Sequence, residues 1–134
     1  MPEDQPLRGT RILIAEDNAI QALELMNILQ DAGAEVLGPA RTVAAVLAVA
    51  RETTLTCAVL DLALDQELVL PAAQALRERS AGIVFYTGYG NLDSLLRDWP
   101  GAHVLSKPVS PELLLRTVRI ACRAPQQVMA IGPN

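Results

Sequence analysis

The 134-residue chain has few aromatic residues and no excess of basic ones. Its aromatic side chains are Phe85, Tyr86, Tyr89 and Trp99, too few to form a platform on which nucleic-acid bases stack. Lys and Arg together number 11 against 15 Asp and Glu, and the net charge of −4 repels phosphate backbones and anionic lipid surfaces. Direct binding of nucleic acid or of a membrane is therefore disfavoured.

Cysteine and long apolar segments are also scarce. Cys57 and Cys122 lie far apart in sequence, and neither has a second Cys or a His at the spacing of metal ligands, so we expect free thiols in a reducing compartment. No apolar run approaches the roughly 18 residues that a membrane span needs, and residues 1–6 are acidic where a secretory signal would be basic. These features predict a cytoplasmic protein.

Hydrophobic residues nevertheless make up 51% of the chain, enough for a packed core. Five short apolar runs do not alternate with polar residues, which is typical of parallel strands covered by helices on both faces. The runs are residues 11–15, 35–38, 57–60, 82–86 and 102–105. Because a helical period follows each run, the sequence predicts an α/β fold: a (βα)5, doubly wound, parallel five-stranded sheet.

The ends of the helices and of the domain can also be predicted. Asn18 precedes the first helix with Gln21 three residues later, Pro71 suits a first helical turn, and Ser110 with Pro111 opens the last helix. Gly33 and Gly82 are predicted to lie at helix ends. Outside a single domain at 9–123, we expect a disordered N-terminal segment at 1–8 and a flexible C-terminal tail at 124–134.

Polar residues follow four of the five predicted strands, and in a parallel sheet these positions meet at one edge. They are Glu16, Asp17, Asp61, Thr87, Ser106 and Lys107, with Gly88 directly after Thr87. Each alone could be a helix cap, a turn residue or a solvated charge, but their joint placement favours a site. Clustered carboxylates require more positive charge than Lys107 provides, so we expect Mg2+, which prefers oxygen ligands, and a phosphoryl group beside it.

Four segments resemble the receiver domain of bacterial two-component response regulators. They are residues 12–18, 59–62, 86–88 and 105–108, and the resemblance extends over residues 9–123. The Phe-Tyr-Thr-Gly-Tyr segment at 85–89 is similar to a stand-alone, single-domain type associated with stress-response phosphorelays, mainly in alphaproteobacteria. The resemblance implies a flavodoxin-like sheet with strand order 2-1-3-4-5.

The resemblance also implies roles for the residues at the sheet edge. Asp61 would be the phosphoacceptor, Lys107 would pair with the phosphoryl oxygens, and Thr87 would hydrogen-bond them after transfer. The implied Mg2+ ligands are Asp61, Asp17, Glu16 through water, and the backbone carbonyl of Ala63.

The resemblance fails at one switch position. Receivers commonly have Tyr or Phe three residues before the lysine, where this chain has Val104. His103 should point to the opposite face of its strand, which leaves Tyr89, two residues after Thr87, as the better candidate for a coupled aromatic residue. The resemblance further implies a cis peptide bond between Lys107 and Pro108.

The predicted function is a signalling receiver that takes a phosphoryl group from a histidine kinase or histidine phosphotransferase and acts through a downstream protein partner. Such a domain catalyses only its own phosphorylation and dephosphorylation, so it is not an enzyme in the usual sense. A phosphate sink or shuttle in a phosphorelay, and a degenerate receiver acting unphosphorylated, remain alternatives. An Asp-nucleophile phosphatase is disfavoured because Leu62 and Ala63 follow Asp61 where that class has Asp-x-Asp. A dinucleotide binder would need a Gly-rich first turn, which is absent.

The last helix suggests where a partner binds. At about 100° per residue, Leu114, Val118 and Ala121 face the sheet, while Leu113 and Ile120 lie beyond that face. Together with Arg116, these two residues form a candidate output surface for a partner or for a second copy of the chain.

Overall fold

A computed structural model describes residues 5–88, 94 and 97–123. In chain order its elements are β1 (Arg11–Ala15), α1 (Ala19–Asp31), β2 (Glu35–Ala40), α2 (Val43–Glu52), β3 (Cys57–Leu60), β4 (Ala63–Leu64), β5 (Glu67–Leu68), α3 (Leu70–Glu78), β6 (Gly82–Thr87), β7 (His103–Ser106) and α4 (Pro111–Arg123). Among these described elements, no helix has both the length and the apolar character that crossing a bilayer requires.

Five parallel strands form the main sheet, in the order β2-β1-β3-β6-β7. The strands β4 and β5 form a separate two-stranded hairpin. When only the five strands of the main sheet are numbered in chain order, their order across the sheet is the predicted 2-1-3-4-5. The α/β, flavodoxin-like prediction is therefore confirmed. The helical period that follows the run at 82–86, which the spacing of Leu92, Leu95, Leu96 and Trp99 predicts, lies mostly outside the described residues.

The sheet is covered on both faces, as its unalternating apolar strands require. One core cluster lies under α2 and α3 and includes Phe85, whose ring meets that of Trp99 edge-to-face with centroids 5.3 Å apart. The guanidinium of Arg77 lies 4.1 Å from the centroid of the Trp99 ring. The second cluster lies under α1 and α4, and its fully buried members include Ile12, Ile14, Val59 and Val84.

The hairpin directly after β3 was not predicted. Its turn residues, Asp65 and Gln66, have positive φ angles of 51° and 70°. Two-residue hairpin turns of this kind usually contain Asn-Gly or Asp-Gly, and this turn has no glycine. The hairpin therefore has no local signal in the sequence.

The segment before β1 differs from the predicted disorder. Leu7 is fully buried in the second core cluster, and its N–H donates to the carbonyl of Ala32 over 2.8 Å. Burial of this one apolar side chain fixes the segment from residue 5 onwards. Residues 1–4 and the predicted tail at 124–134 lie outside the described residues.

Candidate functional site

The polar residues that follow the main strands meet at one edge of the sheet. Backbone hydrogen bonds continue the strand pairing there: the N–H of Asp61 donates to Ala15 over 2.9 Å, and the N–H of Lys107 donates to Thr87 over 2.9 Å. Glu16, Asp61 and Thr87 are buried, with exposures of 1%, 8% and 0%. These side chains therefore form a buried polar site at the sheet edge and are not solvent-exposed surface charges.

Lys107 is at the centre of this site. Its ammonium group donates to Glu16 Oε1 over 2.8 Å, to Asp61 Oδ2 over 2.9 Å and to Gln21 Oε1 over 2.6 Å. An ammonium has three N–H donors, so these contacts use all of them. Lys107 directly follows β7, and its peptide bond to Pro108 is cis, as the resemblance implies.

Burial and neighbouring charges have opposite effects on the pKa values of Glu16 and Lys107. Burial raises the pKa of Glu16, although hydrogen bonds from Lys107 and from the N–H of Asn18 partly oppose it. Burial alone would lower the pKa of Lys107, but its hydrogen bonds to Glu16 and Asp61 outweigh this and raise that pKa. Lys107 is therefore held as a cation between the carboxylates of Glu16 and Asp61.

Three carboxylates form an acidic cluster. Glu16, Asp17 and Asp61 each offer an oxygen, and these oxygens lie within 4.8 Å of one another. A set of hard oxygen donors at this separation suits a divalent cation such as Mg2+. Asp17 Oδ2 also accepts the N–H of Asp65 over 2.8 Å, so the hairpin is tied to the cluster. Ala63 begins that hairpin, two residues after Asp61.

Two residues at the site were missed by sequence reasoning. The N–H of Gln21 donates to Asn18 Oδ1 over 2.9 Å, which confirms Asn18 as the helix cap, but the Gln21 side chain turns to Lys107. The Lys107 ammonium also lies 5.0 Å from the centroid of the Tyr86 ring. Periodicity could not find either contact, because both depend on which way a side chain points.

The switch candidates are only partly described. Thr87 ends β6 inside the site and is fully buried. Val104 pairs with Phe85 on the neighbouring strand and packs against the first core cluster, so this position holds an aliphatic side chain where an aromatic one was expected from the resemblance. Tyr89 lies outside the described residues.

The structure is similar to known structures of receiver domains. A response regulator receiver protein from Sinorhizobium medicae matches with a TM-score of 0.79 and 25% identity, over 87% of this chain and 96% of that one. A CheY-like receiver domain protein from Methanospirillum hungatei matches with a TM-score of 0.74 and 25% identity, over 91% and 98%. The receiver domain of a sensor histidine kinase from Pseudomonas aeruginosa, with a magnesium ion in its active-site cleft, matches with a TM-score of 0.71 and 20% identity, over 85% and 98%.

Sequence comparison adds no further relative: no family model matches the chain, and no curated protein matches it significantly. The fold is that of the flavodoxin-like α/β class, with an acidic site at the carboxyl edge of the sheet. Within that class the chain is similar in fold to response regulator receiver domains, in agreement with the resemblance seen in the sequence.

Proposed function

We propose that the chain is a phosphorylation-dependent signalling receiver, with Asp61 as the phosphoacceptor and a histidine kinase or histidine phosphotransferase as the donor. The observation that carries the proposal is the 2.9 Å contact between the Lys107 ammonium and Asp61 Oδ2, beside an acidic cluster. A nucleophilic carboxylate, a fixed cation and oxygen ligands for a metal are the parts that phosphoryl transfer requires.

In the proposed reaction, an Asp61 carboxylate oxygen bonds to phosphorus as the bond from phosphorus to the donor's histidine nitrogen breaks. Mg2+, when held by Glu16, Asp17 and Asp61, supplies neutralisation of the charge on the phosphoryl oxygens. Lys107 binds those oxygens, and Thr87 donates a hydrogen bond to them after transfer. The chain acts only on its own Asp61 and has no separate substrate to turn over.

The direct test is to incubate the protein with a small acyl-phosphate donor and Mg2+ and to locate the modification by mass spectrometry. We expect one phosphoryl group, on Asp61, and none when a chelator is in excess. A label on another residue, or uptake that does not depend on the metal, would contradict the proposal. Transfer from this protein to a histidine phosphotransferase would identify it as a shuttle in a relay.

Mg2+ is expected to stabilise the protein against heat. A ligand present at about 100 times its dissociation constant stabilises a folded protein by about 2.7 kcal/mol. Differential scanning calorimetry should therefore show a higher unfolding temperature with Mg2+ for the natural protein and little change for Asp17→Asn. Because a carboxylate must be ionised to bind the cation and burial raises the pKa of Glu16, the stabilisation should weaken as the pH falls. If Mg2+ raised the unfolding temperature of Asp17→Asn by the same amount, the metal would have to bind at another site.

The output surface is proposed to be the outer face of α4. Leu113 and Ile120 are 40% and 48% exposed, and Arg116 beside them is exposed as well. Two large apolar side chains next to a cation suit a protein contact, for which we propose a second copy of the chain as the first partner to test.

Replacing Leu113 and Ile120 with Ser is expected to weaken self-association of the phosphorylated protein by about fivefold or more, since each removes exposed apolar area from the contact. Sedimentation equilibrium with and without the acyl-phosphate donor would measure it. Ile20 and Leu23 on α1, which are 72% and 56% exposed, provide the matched control pair for Ser substitution. If the variant with Ser at 113 and 120 associated as strongly as the variant with Ser at 20 and 23, α4 would be excluded as the contact.

A further inference from the structure

Gln21 differs from the other two partners of Lys107. The Nζ to Oε1 distance of 2.6 Å is the shortest of the three contacts, and Gln21 is the neutral partner. Glu16 and Asp61 both belong to the acidic cluster, so a bound cation would draw on the same carboxylates that Lys107 uses. Gln21 is not in that cluster, and its contact with Lys107 is not subject to this competition.

We propose that Gln21 is a positioning residue that holds the Lys107 ammonium at the place where it must meet the phosphoryl oxygens. The inference deepens the proposed function of this site and rests on it. Gln21 touches neither phosphoryl group nor metal in this role and acts through Lys107 alone. Without it, metal binding at Glu16 and Asp61 would leave the long lysine side chain with weakened anchors and many accessible rotamers.

The surroundings of Gln21 suit this role. It lies in the first turn of α1, where its own N–H is fixed by the Asn18 cap at 2.9 Å. Its side chain approaches Lys107 from the helix, while the Tyr86 ring lies 5.0 Å from the ammonium. The ammonium needs an acceptor, so the amide oxygen faces it and the amide NH2 is directed elsewhere.

Gln21→Leu removes the acceptor and keeps a good helix former. Gln21→Glu restores an acceptor oxygen at the same length, and Gln30→Leu makes the same change at an exposed position of α1. Lys107 is the only lysine in the chain, so a lysine ammonium signal in the NMR spectrum of the 15N-labelled protein is unambiguous. Hydrogen-bonded ammonium protons exchange slowly with water, and this can be measured without metal or donor.

We expect ammonium exchange to be about tenfold faster in Gln21→Leu, as loss of a hydrogen bond to a charged group implies, and near the natural rate in Gln21→Glu and Gln30→Leu. At saturating Mg2+ and acyl-phosphate donor, the maximal rate of Asp61 phosphorylation should fall about three- to tenfold in Gln21→Leu and stay unchanged in Gln30→Leu.

Unchanged exchange in Gln21→Leu would overturn the inference, and so would faster exchange with an unaltered phosphorylation rate. Comparing the thermal unfolding of Gln21→Leu with that of Gln30→Leu shows whether Gln21→Leu has lost its fold, so a loss of fold is not mistaken for either result. If the natural protein takes up no phosphoryl group at all, the proposed function fails. The exchange rates then still decide whether Gln21 holds Lys107.

Discussion

Asp61→Asn is expected to reduce phosphoryl uptake from an acyl-phosphate donor to less than about one hundredth of the natural rate, because the amide has no anionic oxygen to attack phosphorus. Asp61 is the carboxylate that Lys107 contacts at 2.9 Å, and it is only 8% exposed. The substitution keeps the shape of the side chain, so the fold should survive. Intact-protein mass spectrometry over a time course, with Mg2+ in excess, measures the rate.

Asp65→Asn is the matched control for this variant. Asp65 is an exposed aspartate four residues further on, and its backbone N–H, which the substitution leaves in place, donates to Asp17 Oδ2. Asn tolerates the positive φ of 51° at this position. Uptake should therefore be unchanged. Comparable loss in both variants, or normal uptake in Asp61→Asn, would contradict the assignment of Asp61 as the phosphoacceptor.

Much of the fold was predictable because its strands are apolar on both faces. The predicted bounds of β1 and β3, residues 11–15 and 57–60, agree with the structure. Parallel strands then bring their carboxyl ends together without further information, so Asp61 and Lys107 could be assigned to one edge before any contact was known. The contact between them confirms this placement.

The remaining features depend on tertiary contacts that leave no periodic signal. Gln21 has the spacing of a capping residue, and only the position of Lys107 draws its side chain into the site. Leu7 is a single apolar residue in a polar segment, and its burial requires the Ala32 carbonyl and the second core cluster to be in place. The hairpin turn at Asp65 and Gln66 lacks the glycine that would have marked it.

Gly82 was predicted to lie at a helix end, and this is wrong: it is the first residue of β6 and pairs with Cys57 on β3. The reason for glycine here is the close approach of α4. A Cβ added at Gly82 would overlap the backbone carbonyl oxygen of Ala121, with the Cβ of Ala121 at 3.3 Å. A backbone atom in a buried helix cannot rotate away as the end of a side chain can.

Gly82→Ala is therefore expected to lower the free energy of unfolding by about 3 kcal/mol, because α4 must move away from the sheet and lose packing of its buried face. That face includes Leu114, Val118 and Ala121, which are at most 4% exposed. Urea unfolding followed by circular dichroism measures the change. Gly88→Ala is the matched control, since a Cβ at Gly88 has no neighbour within 4 Å among the residues that the structure describes. Its stability should stay within about 0.5 kcal/mol of the natural protein. If Gly82→Ala proved as stable as Gly88→Ala, α4 could not be packed against the start of β6 as closely as the structure has it.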